Sequence, residues 1–390
     1  MKNTLQFLIL LSFLFSEKGG AQGALEIKFQ PSEKIYVYET NGFGTPIDLY
    51  TAVIHNMAIV NHSNDSLMLS QVKIEAVTDQ NISYAVTLGK TFLDRSAKRF
   101  KMLSDRGILK QFDAQFRTSQ YLKGHDFSGD KTLRKGEATV ITYRALLLQD
   151  LPDSLMVSVS ANTVDGLGVT ARKRIKVINH KSKNAYNFPL RGRWTVLGAP
   201  SLISHHRWVI SQEFALDLVK VGANGQTFSG DGTQLEQFYA YGEPVFAIAS
   251  GIVVETFDSA MESNADLKQP TETEEEAAKR NTIKQQNLLS KGFHHLLGNY
   301  VIIQHENGEY SYYAHLKPNS IKIKKGDSVT QGQQIGFVGN TGNSSEPHLH
   351  IHITDGDDMA YSRSLPVKFQ NVVGGGNRHI HYGQILNVDD

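Results

Sequence analysis

From residue 24 to about 179, short runs of β-branched and aliphatic residues alternate with turn residues. The clearest runs cover 25–29, 67–77, 139–148, 155–160 and 170–178. Within one of them, Leu155, Val157 and Val159 fall on one side of an extended chain and Met156 and Ser158 on the other. That period of two predicts half-buried strands. Several short strands at such spacing predict an antiparallel sandwich of immunoglobulin-like type. Between them, 92–116 reads as helical, with Phe100, Leu103 and Leu109 free to pack on a neighbour.

Residues 180–193 (HKSKNAYNFPLRGR) are polar and contain Pro189 and Gly192, which predicts a connection between two domains. Beyond it, glycine-punctuated strands are expected over 245–254, 299–305, 310–315 and 335–338. Residues 261–290 interrupt them. Glu272, Glu274, Glu275 and Glu276 precede Lys279, Arg280 and Lys284, in good helix-forming company and with few apolar residues. A solvent-exposed helical insertion between two strands is predicted there, acting as a lid or docking element for substrates. The fold class is therefore mainly β, with two domains (24–179 and 194–390) joined by 180–193.

Composition narrows the chemistry. The 390 residues hold no cysteine, so disulfides, a thiolate nucleophile and thiolate-bound metal are excluded. Any metal must be held by His, Asp or Glu. With 40 Lys and Arg against 39 Asp and Glu, the net charge of +1 gives no footing for a nucleic-acid partner. At the start, Lys2 precedes an apolar run over 5–15, and Gly19, Gly20 and Ala21 follow. This predicts a signal peptide over 1–21 and an exported protein, periplasmic or secreted. The run is short of the ~20 residues that span a bilayer, so no stable membrane insertion is expected after cleavage.

Three stretches carry candidate chemistry. In PHLHIHI (347–353), residues two apart share a face, so His348, His350 and His352 project together while Leu349, Ile351 and Ile353 pack behind them. Such a pair at i and i+2 can put one imidazole on a metal and keep another free beside it. YYAHLKP (312–318) places His315 near a strand end. In HHRWVISQEFALDLV (205–219), Asp217 lies in an apolar strand context, where a carboxylate needs a partner or a metal. His205 and His206 precede it. Two imidazoles and a carboxylate make a plausible catalytic zinc set with a fourth position open.

GEPVFAIASGIVV (242–254), GNYVIIQHENGEYSYYAHL (298–316) and IKKGDSVTQGQQIGFVGNTGNSSEPHLHIHI (323–353) together resemble the lysostaphin-type, or LytM-type, zinc metallo-endopeptidases. The resemblance covers roughly 194–353 and implies an antiparallel-β metallopeptidase domain. It implies Zn²⁺ held by a His, an Asp and the second His of HxH. By motif these are His206, Asp217 and His350, with His348 and His315 as catalytic histidines that do not bind the metal. The family's first ligand usually lies four residues before the Asp, but that position here is Glu213. His206 takes its place in this reading, with His205 as the alternative. The implied substrate is the peptide part of bacterial peptidoglycan. Two rivals stay open: a non-catalytic regulator that activates other wall hydrolases, and a structural or adhesive surface module. His305 is expected to support a turn, His352 to orient a ligand, His294 and His295 to sit at the surface, and His379 and His381 to lie on a surface strand.

Overall fold

The structure is a computed structural model that describes residues 23–41, 48–79, 81–373 and 379–388. The expected signal peptide lies outside them. Strand accounts for 40% of the chain and helix for 18%, so the protein is mainly β.

The N-terminal part is a sandwich. One sheet runs Leu25–Gln30, Asp48–Asn61, Glu137–Leu148 and Asp126–Phe127, with Tyr38–Asn41 also on Asp48–Asn61. The other runs Lys34–Tyr36, Gly168–Ile178, Ser154–Asn162, Leu67–Thr78 and Asn81–Gly89. Leu155, Val157 and Val159 are all buried between the sheets, as their alternation requires. The pattern did not reveal Asp48–Asn61, because both its faces are covered. Ala52, Ile54, Met57 and Ile59 face the opposite sheet. Ala58 and Val60 lie beneath Phe100, Leu109 and Phe116. A strand covered on both sides reads as a continuous apolar run, with no alternation to detect. The predicted helix over 92–116 is a helix at Lys90–Asp105 followed by single turns at Ile108–Gln111 and Asp113–Phe116. It forms a third layer on that sheet.

The C-terminal part is built on one long sheet. Its order is Ser328–Val329, Gly251–Phe257, Asn299–Gln304, Tyr310–Leu316, Leu349–Thr354, Leu216–Val219, Gly192–Gly198, Ile385–Val388 and Val372–Val373. The histidine-rich strand is thus central, between the strand ending near His315 and the strand carrying Asp217. Leu216, Leu218, Leu349, Ile351 and Ile353 pack into the core behind it. The run predicted over 245–254 is divided into Pro244–Phe246 and Gly251–Phe257. The insertion contains the helix Glu274–Lys291, opened by a reciprocal cap between Thr273 and Glu276.

The connection 180–193 is more firmly anchored than a polar linker. Tyr186, Phe188 and Leu190 are buried in the C-terminal core. His180 Nε2 lies 2.9 Å from Glu309 Oε1, and the Tyr186 hydroxyl donates to Glu309 Oε2 at 2.6 Å. Ser182 also donates to that carboxylate. Burial alone would raise the Glu309 pKa, but these donors outweigh it and bring it down to about 2. A carboxylate depressed in the folded state stabilises above its unfolded pKa and loses that stabilisation as pH falls through the folded value. Glu309→Gln is therefore expected to cost about 2–3 kcal/mol at neutral pH. The gap in thermal midpoint between variant and wild type should shrink from about pH 4.5 downward. A gap that is constant with pH would show that the charge of Glu309 contributes nothing.

Candidate metal centre

Register brings the centre together. Asp217 pairs with His350 across one strand boundary, and Ala314, next to His315, pairs with His350 across the other. Asp217 Oδ1 lies 2.9 Å from His350 Nδ1, and Asp217 Oδ2 lies 2.7 Å from His206 Nε2. His348 Nε2 is 3.6 Å from Asp217 Oδ1. Burial would raise the Asp217 pKa, but the facing His206, His350 and His348 overcome it and hold the carboxyl well below the usual range. Burial lowers His350.

Gly198 makes this placement possible. It pairs with Asp217 across the sheet, and a β-carbon built on it would collide with the Asp217 carboxylate. Nothing in the sequence set this glycine apart from the others.

Two further imidazoles, His315 and His348, line the same cavity as Asp217. His315 Nδ1 lies 2.8 Å from the Thr341 carbonyl, and His348 Nδ1 lies 2.8 Å from the Glu346 carbonyl. A carbonyl only accepts, so each Nδ1 carries a proton, and in the neutral form of either ring Nε2 is left as an acceptor. The His315 ring sits 4.8 Å from that of His348 and 5.7 Å from that of His350. The His315 backbone is at φ 61°, outside the extended region although it lies in a strand. Such conformations gather where the surroundings hold a functional side chain. Burial holds the His315 pKa well below the ordinary histidine range. His352, packed flat on Tyr312 at 4.6 Å, places its Nδ1 2.9 Å from His350 Nε2. It thereby touches the ring nitrogen that faces away from Asp217.

His205 and His206 both lie at the centre, with ring centroids 3.9 Å apart. His205, His206 and Asp217 offer donor atoms within 4.8 Å of one another. That grouping favours neither histidine, but the direct contacts do. His206 is buried and touches the carboxylate, whereas His205 is exposed. Glu213 does not reach the centre. It is fully buried in an ion pair with Arg207, whose guanidinium also donates to the Thr51 carbonyl at 3.0 Å. The Gln115 side chain donates to the Trp208 carbonyl at 2.8 Å and accepts from the Ile210 N–H at 3.1 Å. The segment carrying His206 is thus clamped by residues of the N-terminal part.

The centre opens into a cavity of about 460 Å³. Phe112 and Gln115 line one side, and Asn281, Gln285 and Leu289 of the insertion helix line another. Contacts this distant in sequence leave no local signal. His305 closes a turn, as expected, through bonds to Glu309, Ser250 and Ser311. His379 departs from its expected surface strand: it is buried, stacked on Tyr38 at 4.3 Å, and accepts from the Glu39 N–H. The Tyr38 ring, distant in sequence, covers that imidazole, which the local pattern does not reveal.

Residues 231–361 match the sequence model of peptidase family M23, so the C-terminal half carries a domain of that family, in keeping with the motif resemblance. His315, His348 and His350 fall inside the match, and His206 and Asp217 precede it. A peptidoglycan DD-endopeptidase of Vibrio cholerae is 48% identical over 60 residues, which is 15% of this chain and 14% of that protein. An uncharacterized metalloprotease of Buchnera aphidicola is 32% identical over 99 residues, covering 25% of this chain and 26% of its own. The chain thus spans at most about a quarter of the length of these relatives. A crystal structure of a zinc-containing peptidase from Vibrio cholerae aligns over 87% of this chain and 83% of its own, at 14% identity and a TM-score of 0.25.

Proposed function

We propose that this protein is a zinc-dependent endopeptidase that hydrolyses peptide bonds of bacterial cell-wall peptidoglycan. The observation that carries the reading is Asp217, whose two carboxylate oxygens each face a different imidazole, His206 and His350. Among the described residues, no lysine or arginine lines the cavity to neutralise this carboxylate. One carboxylate and two imidazoles suit zinc, and with three ligands a position remains for substrate or water. His206, Asp217 and His350 would hold the ion. Bound there, zinc supplies Lewis acidity, which polarises a peptide carbonyl and acidifies water.

The chain's own side chains supply the proton handling. His315 and His348 each present an acceptor Nε2 at the cavity, fixed by the carbonyls of Thr341 and Glu346. One takes a proton from the attacking water at Nε2, and the protonated ring so formed stabilises the developing oxyanion and passes that proton to the departing amine. His352 supports His350 by accepting at Nδ1 the proton on its Nε2, which leaves His350 Nδ1 free as a ligand. In this reading residues 194–390 are the peptidase part and 24–179 an accessory part that steadies the His206 segment. Export follows from the expected signal peptide. Among the described residues, no helix is long and apolar enough to cross a membrane. A non-catalytic regulator would have no use for a complete set of ligands and proton acceptors around one cavity.

Digestion of purified peptidoglycan, followed by mass spectrometry of the released fragments, tests the proposal. New peptide termini that appear with the zinc-loaded protein and not after chelation support it. Intact peptidoglycan under both conditions refutes it. The choice between adjacent histidines has its own test. His206→Ala should abolish stoichiometric zinc, while His205→Ala should weaken binding about tenfold or less. The reverse ranking would make His205 the ligand.

A further inference from the structure

We infer that the insertion helix Glu274–Lys291 is a fixed wall of the substrate cleft, and that Asn281 and Gln285 determine specificity by pairing with the main chain of an extended, uncharged stretch of peptide. The inference rests on the endopeptidase reading above.

The helix is fastened on both sides. Before it, Leu267 is fully buried in a small apolar cluster with Leu235 and Phe238. Arg280 bonds the Glu272 carboxylate at 2.9 and 3.0 Å and the Asp266 carbonyl at 2.9 Å. The insertion therefore contributes to packing, which its charged composition did not suggest. Toward the cleft, Lys284 Nζ donates to the Ser344 carbonyl at 3.1 Å and pairs with Asp266 at the same distance. Ser344 Oγ in turn lies 3.2 Å from His348 Nδ1 and donates to the Glu346 carbonyl at 2.8 Å. The loop that orients a catalytic histidine thus also holds the helix in place.

Asn281, Gln285 and Leu289 are spaced four apart, so one helix face meets the cavity. Gln285 makes no side-chain hydrogen bond among the described residues, and Asn281 accepts one, from Arg280 at 3.2 Å. Its amide N–H₂ and both ends of the Gln285 carboxamide remain for a ligand. Carboxamides offer a donor and an acceptor together, the complement of a peptide unit. Among the described residues no lysine or arginine lines the cavity, so away from the metal ligands no side chain there would compensate a carboxylate withdrawn from water. Beyond Gln285 the wall becomes apolar at Leu289, Phe293 and Leu296, which suits a small aliphatic side chain.

The test uses the full zinc-loaded chain and two cross-linked peptides isolated from peptidoglycan. They share the bond that is cut, but one is trimmed so that it no longer reaches the helix. Asn281→Ala/Gln285→Ala should lower the ratio of kcat/KM for the long peptide over the trimmed one about tenfold. The loss should appear as a higher KM, with zinc content and thermal midpoint retained. Gln285→Asn, which keeps the carboxamide, should recover part of the ratio when Asn281 is left intact. An unchanged ratio, or a loss carried by kcat alone, overturns the inference while the endopeptidase reading stands. If the wild-type protein cuts neither peptide, both fail together.

Discussion

Asp217→Ala is expected to leave the purified protein without stoichiometric zinc and without measurable hydrolysis. The carboxylate faces both His206 and His350, and the contact with His350 links two neighbouring strands. Its removal takes away a proposed ligand and the carboxylate that both buried imidazoles face. His350→Ala should behave alike. Elemental analysis of the purified variants gives the result directly. A full equivalent of zinc on either variant would place the metal elsewhere. The strand itself should survive, since its stability comes from Leu349, Ile351 and Ile353 on the opposite face.

The second large effect separates binding from chemistry. His348→Ala and His315→Ala should each keep a full equivalent of zinc, while kcat falls by about 10²–10⁴, the range for loss of a positioned acid or base. Both rings take their orientation from the Thr341 and Glu346 carbonyls, and neither is among the proposed ligands, so zinc should stay bound without them. Burial keeps His315 neutral, and therefore a proton acceptor, throughout the neutral range. Loss of zinc from His348→Ala, or activity within a few-fold of wild type in both variants, would contradict this division of roles.

The sequence carried the parts of the centre that obey a local rule. A period of two places His348, His350 and His352 together, and an aspartate inside FALDLV had to find a partner. Both expectations rest on strand geometry and the cost of burying charge, which hold in any fold. What was hidden depends on contacts distant in sequence. Glu213 stands where the family's first ligand usually lies, and nothing local shows that Arg207 claims it. Gln115 gives no hint that it fastens the segment bearing His206, more than ninety positions away. The strand Asp48–Asn61 lost its alternation because a helix covers the face that solvent would otherwise meet. The polar composition of 180–193 marks a connection and gives no sign of how firmly it is held. In the fold, Glu309 collects His180, Ser182 and Tyr186.

The central claim joins one metal ion to one activity, and a titration tests both at once. Zinc is added stepwise to the metal-stripped protein while peptidoglycan-peptide hydrolysis is followed in the same solution. Activity should be absent at the start, rise in proportion to added zinc, and level off at about one equivalent per chain, the stoichiometry of a single three-ligand site. Hydrolysis by the stripped protein, or saturation with zinc that leaves the peptides intact, would contradict it.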